Sequence, residues 1–147
     1  MFKAGWNSSQ ITAVAGDAAN HSGDYVCTSG AFEGQICNLK IHYINLTVQA
    51  CDSNLNCFYV ADAADAFNPN NASAVGVGDG DSGGPVYSYN SSGEALARGM
   101  IDAGGGGTDV SCTSNPPGMS GRKCSHILYF VEMGYINSHW GVTPIHN

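Results

Sequence analysis

The stretch Gly78-Asp79-Gly80-Asp81-Ser82-Gly83-Gly84-Pro85, followed at once by Val86-Tyr87-Ser88-Tyr89, decides how this chain is read. Glycines on both sides of Ser82 let the backbone take angles that a side chain would forbid, and let another chain come close. The N–H groups of Gly80 and Ser82 can then converge on one point, as needed to hold a developing oxyanion. Pro85 ends the turn, and the apolar alternation after it reads as a strand. A run rich in Gly, Asp and Ser is ordinarily a plain surface turn. This one is placed, because a small apolar lead-in (Ala74 to Gly78) precedes it and a strand follows. A calcium loop is the other candidate, since Asp79 and Asp81 alternate with glycine, but no glutamate follows at the spacing an EF-hand needs.

With 147 residues, 43% hydrophobic and 10% aromatic, the chain is sized for one domain with a real core. Twelve acids against 5 bases give a net charge of -7, so a nucleic acid would find almost no cations to grip. No apolar run is long enough to span a membrane as a helix. Low charge with 20 glycines and many Ser, Thr and Asn reads as short strands joined by tight turns.

The 6 cysteines fall into three short spacings, Cys27 with Cys37, Cys51 with Cys57, and Cys112 with Cys124. None has the Cys/His pattern of a zinc site, so disulfides are expected, no metal, and no cofactor. Six cysteines allow about fifteen connectivities, of which three local loops are the economical one. Disulfides imply an oxidising, extracellular setting and a secreted protein. Met1-Phe2-Lys3-Ala4-Gly5-Trp6 shows no basic stretch followed by an apolar core, so the expectation is that this chain is part of a longer precursor or that its true start was lost. The 5 Asn-x-Ser/Thr sequons, at Asn7, Asn20, Asn45, Asn71 and Asn90, carry little weight in so polar a chain.

Strands are expected where apolar residues alternate. Cys37 to Tyr43 and Leu46 to Gln49 show period 2, and Cys51 to Cys57 turns the chain back through Phe58-Tyr59-Val60. Val86 to Tyr89 and Ala95 to Ile101 flank the turn Asn90-Ser91-Ser92-Gly93-Glu94, and Ile127 to Val131 forms the last strand. Met133, Ile136 and Trp140 recur at helical spacing, predicting one short C-terminal helix with an apolar face.

The hexapeptide Gly-Asp-Ser-Gly-Gly-Pro resembles the nucleophile loop of the chymotrypsin-like (trypsin-fold) serine peptidases. Val26-Cys27-Thr28-Ser29-Gly30 with Gly34-Gln35-Ile36-Cys37 is similar to the disulfide-closed hairpin of secreted bacterial members, the streptogrisin-like and alpha-lytic-like peptidases. The resemblance runs from about Ser22 to Val142. It implies an all-β chain forming a single six-stranded Greek-key-type β-barrel, the second half of a two-barrel trypsin-like fold, with a short C-terminal helix. The whole chain, 1–147, is then one domain, and the N-terminal barrel is absent.

By this resemblance Ser82 is the acyl-accepting nucleophile, Gly80 and Ser82 supply the oxyanion amides, and Asp81 is a buried carboxylate needing a cation, with Arg98 and Lys3 as candidates. Loss of an oxyanion donor costs about 3–4 kcal/mol of barrier in such sites. Asp102-Ala103-Gly104 would pair with an extended polypeptide substrate, and the specificity pocket would have its floor near Gly76, where the lack of an acid favours a neutral or apolar side chain. In the family the catalytic histidine and aspartate belong to the first barrel. Ala61-Asp62-Ala63-Ala64-Asp65 is the nearest approach to the histidine segment and holds none, and His21, His42, His126, His139 and His146 fit no such place. Gly78 stands where the family commonly has a cysteine, which frees Cys112 for Cys124. Asp102 replaces a small hydroxyl residue.

Two functions follow as expectations. One is a serine endopeptidase cut off from its base, inactive alone and completed by the missing barrel or a second chain. The other is a noncatalytic β-barrel that binds peptides or a protein partner along the former substrate strand.

Overall fold

The structure, a computed structural model, describes residues 5, 7–51, 54 and 56–144. It contains β1 (Val14–Asp17), β2 (Tyr25–Gly30), β3 (Gly34–Ile41), β4 (Leu46–Cys51), β5 (Cys57–Phe67), β6 (Val77–Gly78), β7 (Pro85–Tyr89), β8 (Ala95–Gly104), β9 (Asp109–Val110), β10 (Cys124–Ser125), β11 (Leu128–Glu132) and α1 (Met133–Trp140).

Six strands close into a ring through antiparallel pairs, in the order β2-β3-β5-β11-β8-β7, with β7 pairing β2 again. Within it β7, β2, β3 and β5 lie side by side, so the fourth strand in the chain returns to the first, as in a Greek key. Alternation explains the closure. Val26, Leu39 and Ile41, Ala64 and Ala66, Val86, Ile101, and Leu128 and Phe130 form one buried cluster to which every ring strand contributes. Their i, i+2 spacing puts them all on the inner face. β1 adds to β8 in parallel and β4 to the first half of β5.

The strands expected from alternation are all present, and the disulfides Cys27–Cys37, Cys51–Cys57 and Cys112–Cys124 are formed. β5 runs well beyond Val60, through the alanine-rich segment to Phe67. A bulge between Ala63 and Val60, where Asp62 takes φ 49°, re-aims the strand so that Ala63, Ala64 and Ala66 are fully buried. The helix is where Met133, Ile136 and Trp140 place it, but its apolar face is shorter than expected. Met133 and Ile136 pack on Ala97 and Val131, whereas Trp140 is 55% exposed. The sequon at Asn20 is buried, its amide bonded to the Arg98 carbonyl and Glu132.

Arg98, on β8, is held among Asn20, Ser88 and Asp24. Partial burial pushes the Asp24 carboxyl up, but the hydrogen bond and charge of Arg98, with His21 donating as well, outweigh it and leave Asp24 below its ordinary value. A lowered folded value means the ion pair stabilises the fold above the ordinary 3.8 and loses that contribution as pH falls toward the folded value. Asp24→Asn is therefore expected to melt below the wild type at neutral pH, and the gap to close below pH 3.8, as read from thermal melts across an acid series.

Candidate active site

The serine loop is built around the carboxylate of Asp81, which is 2% exposed. Its Oδ1 accepts the N–H groups of Phe32 (2.8 Å) and Glu33 (3.0 Å), and its Oδ2 accepts that of Gly78 (3.1 Å). The expected cations do not supply the pairing seen among the described residues. Arg98 is engaged by Asp24, and Lys3 lies outside the described residues. The cation is Arg122, whose Nη2 stands 3.8 Å from Asp81 Oδ2, beyond hydrogen-bond reach. Arg122 bonds directly to Glu33 Oε1 (2.9 Å), to the Ser114 carbonyl (2.9 Å) and, through Nε, to the Asp79 carbonyl (2.8 Å). The other Glu33 oxygen accepts the Thr113 N–H and hydroxyl. Glu33 and Arg122 went unseen in the sequence. The only signal was that Arg122 stands two residues before Cys124 in a chain with 5 cations.

The glycines are required here by neighbours. A Cβ on Gly78 would lie 2.5 Å from Arg122 Nη2 and 2.7 Å from Cys124 Sγ, so the Cys112–Cys124 disulfide and the guanidinium fill the space a side chain would need. Gly80 takes φ 86°, and a Cβ there would lie 2.2 Å from the Phe32 ring. In the loop, the amides of Asp81, Gly83 and Gly84 bond to the carbonyls of Gly78, Ile101 and Asp81. Those of Gly80 and Ser82 donate to no acceptor among the described residues. The Ser82 hydroxyl is exposed and donates to the Asp102 carbonyl at 3.0 Å.

Beside Ser82 lies a cleft of about 460 Å³, walled by residues 77–80 on the loop side and by residues 102–106 of β8 and its continuation, with Cys124 and Ser125 of β10. Asp102, Ala103 and Gly104 thus share one wall next to Ser82. Gly76 does not line it. Its N–H bonds to the Ser125 carbonyl and a Cβ there would point into the His126 carbonyl, 2.4 Å away, so Val77 takes the expected place on the cleft. The recess is narrow at Gly104, where a Cβ would lie 2.7 Å from Ser125 Cβ and 3.4 Å from Val77 Cγ1.

Two groups in or near this cleft lack what they need. Asp102 accepts no hydrogen bond on its carboxylate from any described residue; Oδ2 is closed off from solvent without a partner, and burial pushes the carboxyl up from its ordinary value. Ser82 has no base. His21 lies against Asp24, His42 packs on Tyr43 and Phe67, His126 bonds the Ala74 carbonyl through Nδ1, and His139 stacks on Tyr135. His42, expected to be solvated, is half-exposed and 4.0 Å from Asp65. His146 lies outside the described residues.

No protein-family model matches the sequence, and no curated relative matches it. Solved structures do. Thermobifida fusca protease A is similar with a TM-score of 0.64 at 23% identity over 97% of this chain and 60% of its own. A glutamic acid specific serine protease described as using a novel histidine triad in substrate binding aligns at TM-score 0.62 and 16% identity, over 95% of this chain and 58% of its own. Cellulomonas bogoriensis chymotrypsin aligns at TM-score 0.61 and 22% identity, over 95% and 59%. The chain therefore has the fold found in bacterial chymotrypsin-like serine proteases and spans about three fifths of each of these.

Arg122→Met leaves the Glu33 and Asp81 carboxylates buried without their cation, and is expected to cost about 3–5 kcal/mol in denaturant unfolding. Asp102→Asn should act in the opposite direction. A carboxyl raised by burial destabilises the fold when ionised, so the variant melts above the wild type at neutral pH and the gap closes as acid protonates Asp102. The gain is a fraction of the roughly 1–3 kcal/mol that a fully buried unpaired group costs, because Asp102 keeps part of its surface open.

Proposed function

We propose that this chain is the nucleophile-bearing half of a serine endopeptidase, with Ser82 forming the acyl-enzyme and the Gly80 and Ser82 amides holding the oxyanion. The observation that carries this reading is the pair of unused amides beside an exposed serine hydroxyl, in a loop whose backbone is fixed by buried charge. When Ser82 attacks a peptide carbonyl, the new Oγ–C bond forms as the hydroxyl proton leaves for a base. The carbonyl oxygen gains charge and is met by N–H groups that need no reorganisation. The amine leaves with that proton, and water repeats the sequence on the ester.

The base is supplied from outside the described residues, by a companion domain or a second chain. The share of the similar protease chains left unmatched, and the lack of a histidine at Ser82 among the described residues, support this. The three disulfides support an extracellular setting. An extended polypeptide would run along Asp102, Ala103 and Gly104. The narrowing at Gly104 and Ser125 supports a small neutral side chain in the recess. An acidic one is disfavoured by Asp79, Asp102 and Asp109 on the cleft, which no histidine lines among the described residues.

The test is intact-mass analysis of the oxidised chain after a fluorophosphonate probe, with and without added imidazole. One adduct per chain, absent in Ser82→Ala, is the expected result. A folded chain that takes no adduct under either condition, or takes it equally in Ser82→Ala, overturns the nucleophile and leaves the noncatalytic peptide-binding barrel.

A further inference from the structure

Asp79-Gly80 is the one Asp-Gly pair in the sequence, and it lies inside the serine loop. An aspartyl side chain can close a five-membered ring on the nitrogen of the residue that follows it. Covalent geometry keeps Cγ and that nitrogen near one another, so the surroundings decide whether the ring closes. The following residue must be small, its N–H must be free, and the pair must be open to water. Gly80 has no side chain, its N–H meets no acceptor among the described residues, and both residues are exposed. Every other aspartate in the chain precedes a residue with a side chain. Donors already stand on both oxygens that the ring would carry. Asp79 Oδ2 accepts the Lys123 N–H at 3.1 Å, and the Asp79 carbonyl accepts Arg122 Nε at 2.8 Å. The first of these stabilises charge gathering on Oδ2 as Cγ is attacked. Oδ1 accepts no hydrogen bond from the described residues, so it is the oxygen free to leave.

We propose that Asp79-Gly80 is a site of spontaneous succinimide formation, which converts Asp79 to isoaspartate and disables the serine loop from within. The acid form of Asp79 reacts. The Gly80 nitrogen bonds to Cγ, the Cγ–Oδ1 bond breaks, and the hydroxyl leaves as water with the amide proton. Water then opens the ring at either carbonyl, and no other reactant is needed. Cleavage at Cγ restores aspartate, whereas cleavage at the main-chain carbonyl leaves the chain running through the side chain. In that second product the former main-chain carbonyl is a free carboxylate on the oxygen that Arg122 already holds, so the guanidinium favours isoaspartate. The consequence for Ser82 rests on the reading of Gly80 as an oxyanion donor. In the succinimide the Gly80 nitrogen carries no hydrogen to donate. In isoaspartate the main chain gains a methylene just before Gly80, and the amide is moved from its place.

In the test, the full-length oxidised chain is aged in warm neutral buffer beside Asp79→Asn, Asp79→Glu and a reduced, denatured sample. Intact mass, hydroxylamine trapping and electron-transfer fragmentation of the digest locate the product. Expected in the folded wild type are a species lighter by one water and isoaspartate at residue 79, forming at least about tenfold faster than at any other aspartate. Asp79→Asn, which expels ammonia more readily than water, ages faster, and Asp79→Glu, whose ring would need six members, does not age at this position. No isoaspartate at 79 in the folded chain, whatever the denatured sample shows, overturns the proposal, because the fold then holds Cγ off the nitrogen. Ageing spread evenly over the aspartates overturns it as well. Fluorophosphonate labelling of the same samples is expected to fall in step with isoaspartate content. A fresh chain that takes no label overturns the reading of Ser82 and leaves the chemistry at Asp79 standing. Labelling undiminished at high isoaspartate content overturns the effect on the loop.

Discussion

The carboxylate of Asp81 is the fixed point of this molecule. It sits in the interior with three backbone N–H groups on it, from the turn after β2 (Phe32, Glu33) and from Gly78. Such a group is tolerable only if fully hydrogen-bonded and electrically compensated. Compensation comes through Arg122, which belongs to Glu33 by direct contact and to Asp81 by proximity. The same guanidinium holds the Asp79 and Ser114 carbonyls. Three segments distant in sequence are thereby tied to one buried charge cluster. Gly30, where a Cβ would lie 2.3 Å from the Asp81 carboxyl carbon, must also stay bare.

The ring carries this fixed point to Ser82. β7 closes the ring by pairing both β2 and β8. Its ladder with β8 continues past Pro85 into the loop, since Ile101 N–H bonds the Gly84 carbonyl and Gly83 N–H bonds the Ile101 carbonyl. The Ser82 hydroxyl on the Asp102 carbonyl is the next step along the same pair of chains. The serine is thus held from below by Asp81 and from the side by β8. That leaves little freedom for the amides of Gly80 and Ser82, and preorganised donors are worth most when nothing has to move to use them.

What could be read in the sequence was local. The serine loop is encoded in eight consecutive residues, the disulfides span short separations, and the strands 37–43 and 86–89 announce themselves by alternation. β5 hid its second half because alanine has little strand preference and Asp62 breaks the period with a bulge. The Glu33–Arg122 pair is separated by 89 residues and has no local signature. Arg98 was the more visible cation, since it stands on a strand close to the loop, but its neighbours Asn20 and Asp24 come from the segment before β2. Gly76 itself stays off the cleft because the register of β6 on β10 pairs its neighbour Val77 with Ser125, and that pair reaches the recess.

Charge on the cleft bears on the chemistry as well as on fit. Among the described residues Asp79, Asp102 and Asp109 line it against Lys123, in a chain of net charge -7. In a recess partly shielded from water such an excess acts at short range with less screening than on an open surface. It opposes the negative charge of a tetrahedral intermediate and favours the positive charge of an imidazolium. The two effects fall at different places. Under the proposed function the oxyanion is met by amide dipoles of the loop, whereas the carboxylate left without a donor, Asp102, stands on the wall formed by β8. The cleft thus gathers fixed negative charge on its walls and leaves the neutral amide donors of Gly80 and Ser82 on the side of the serine loop.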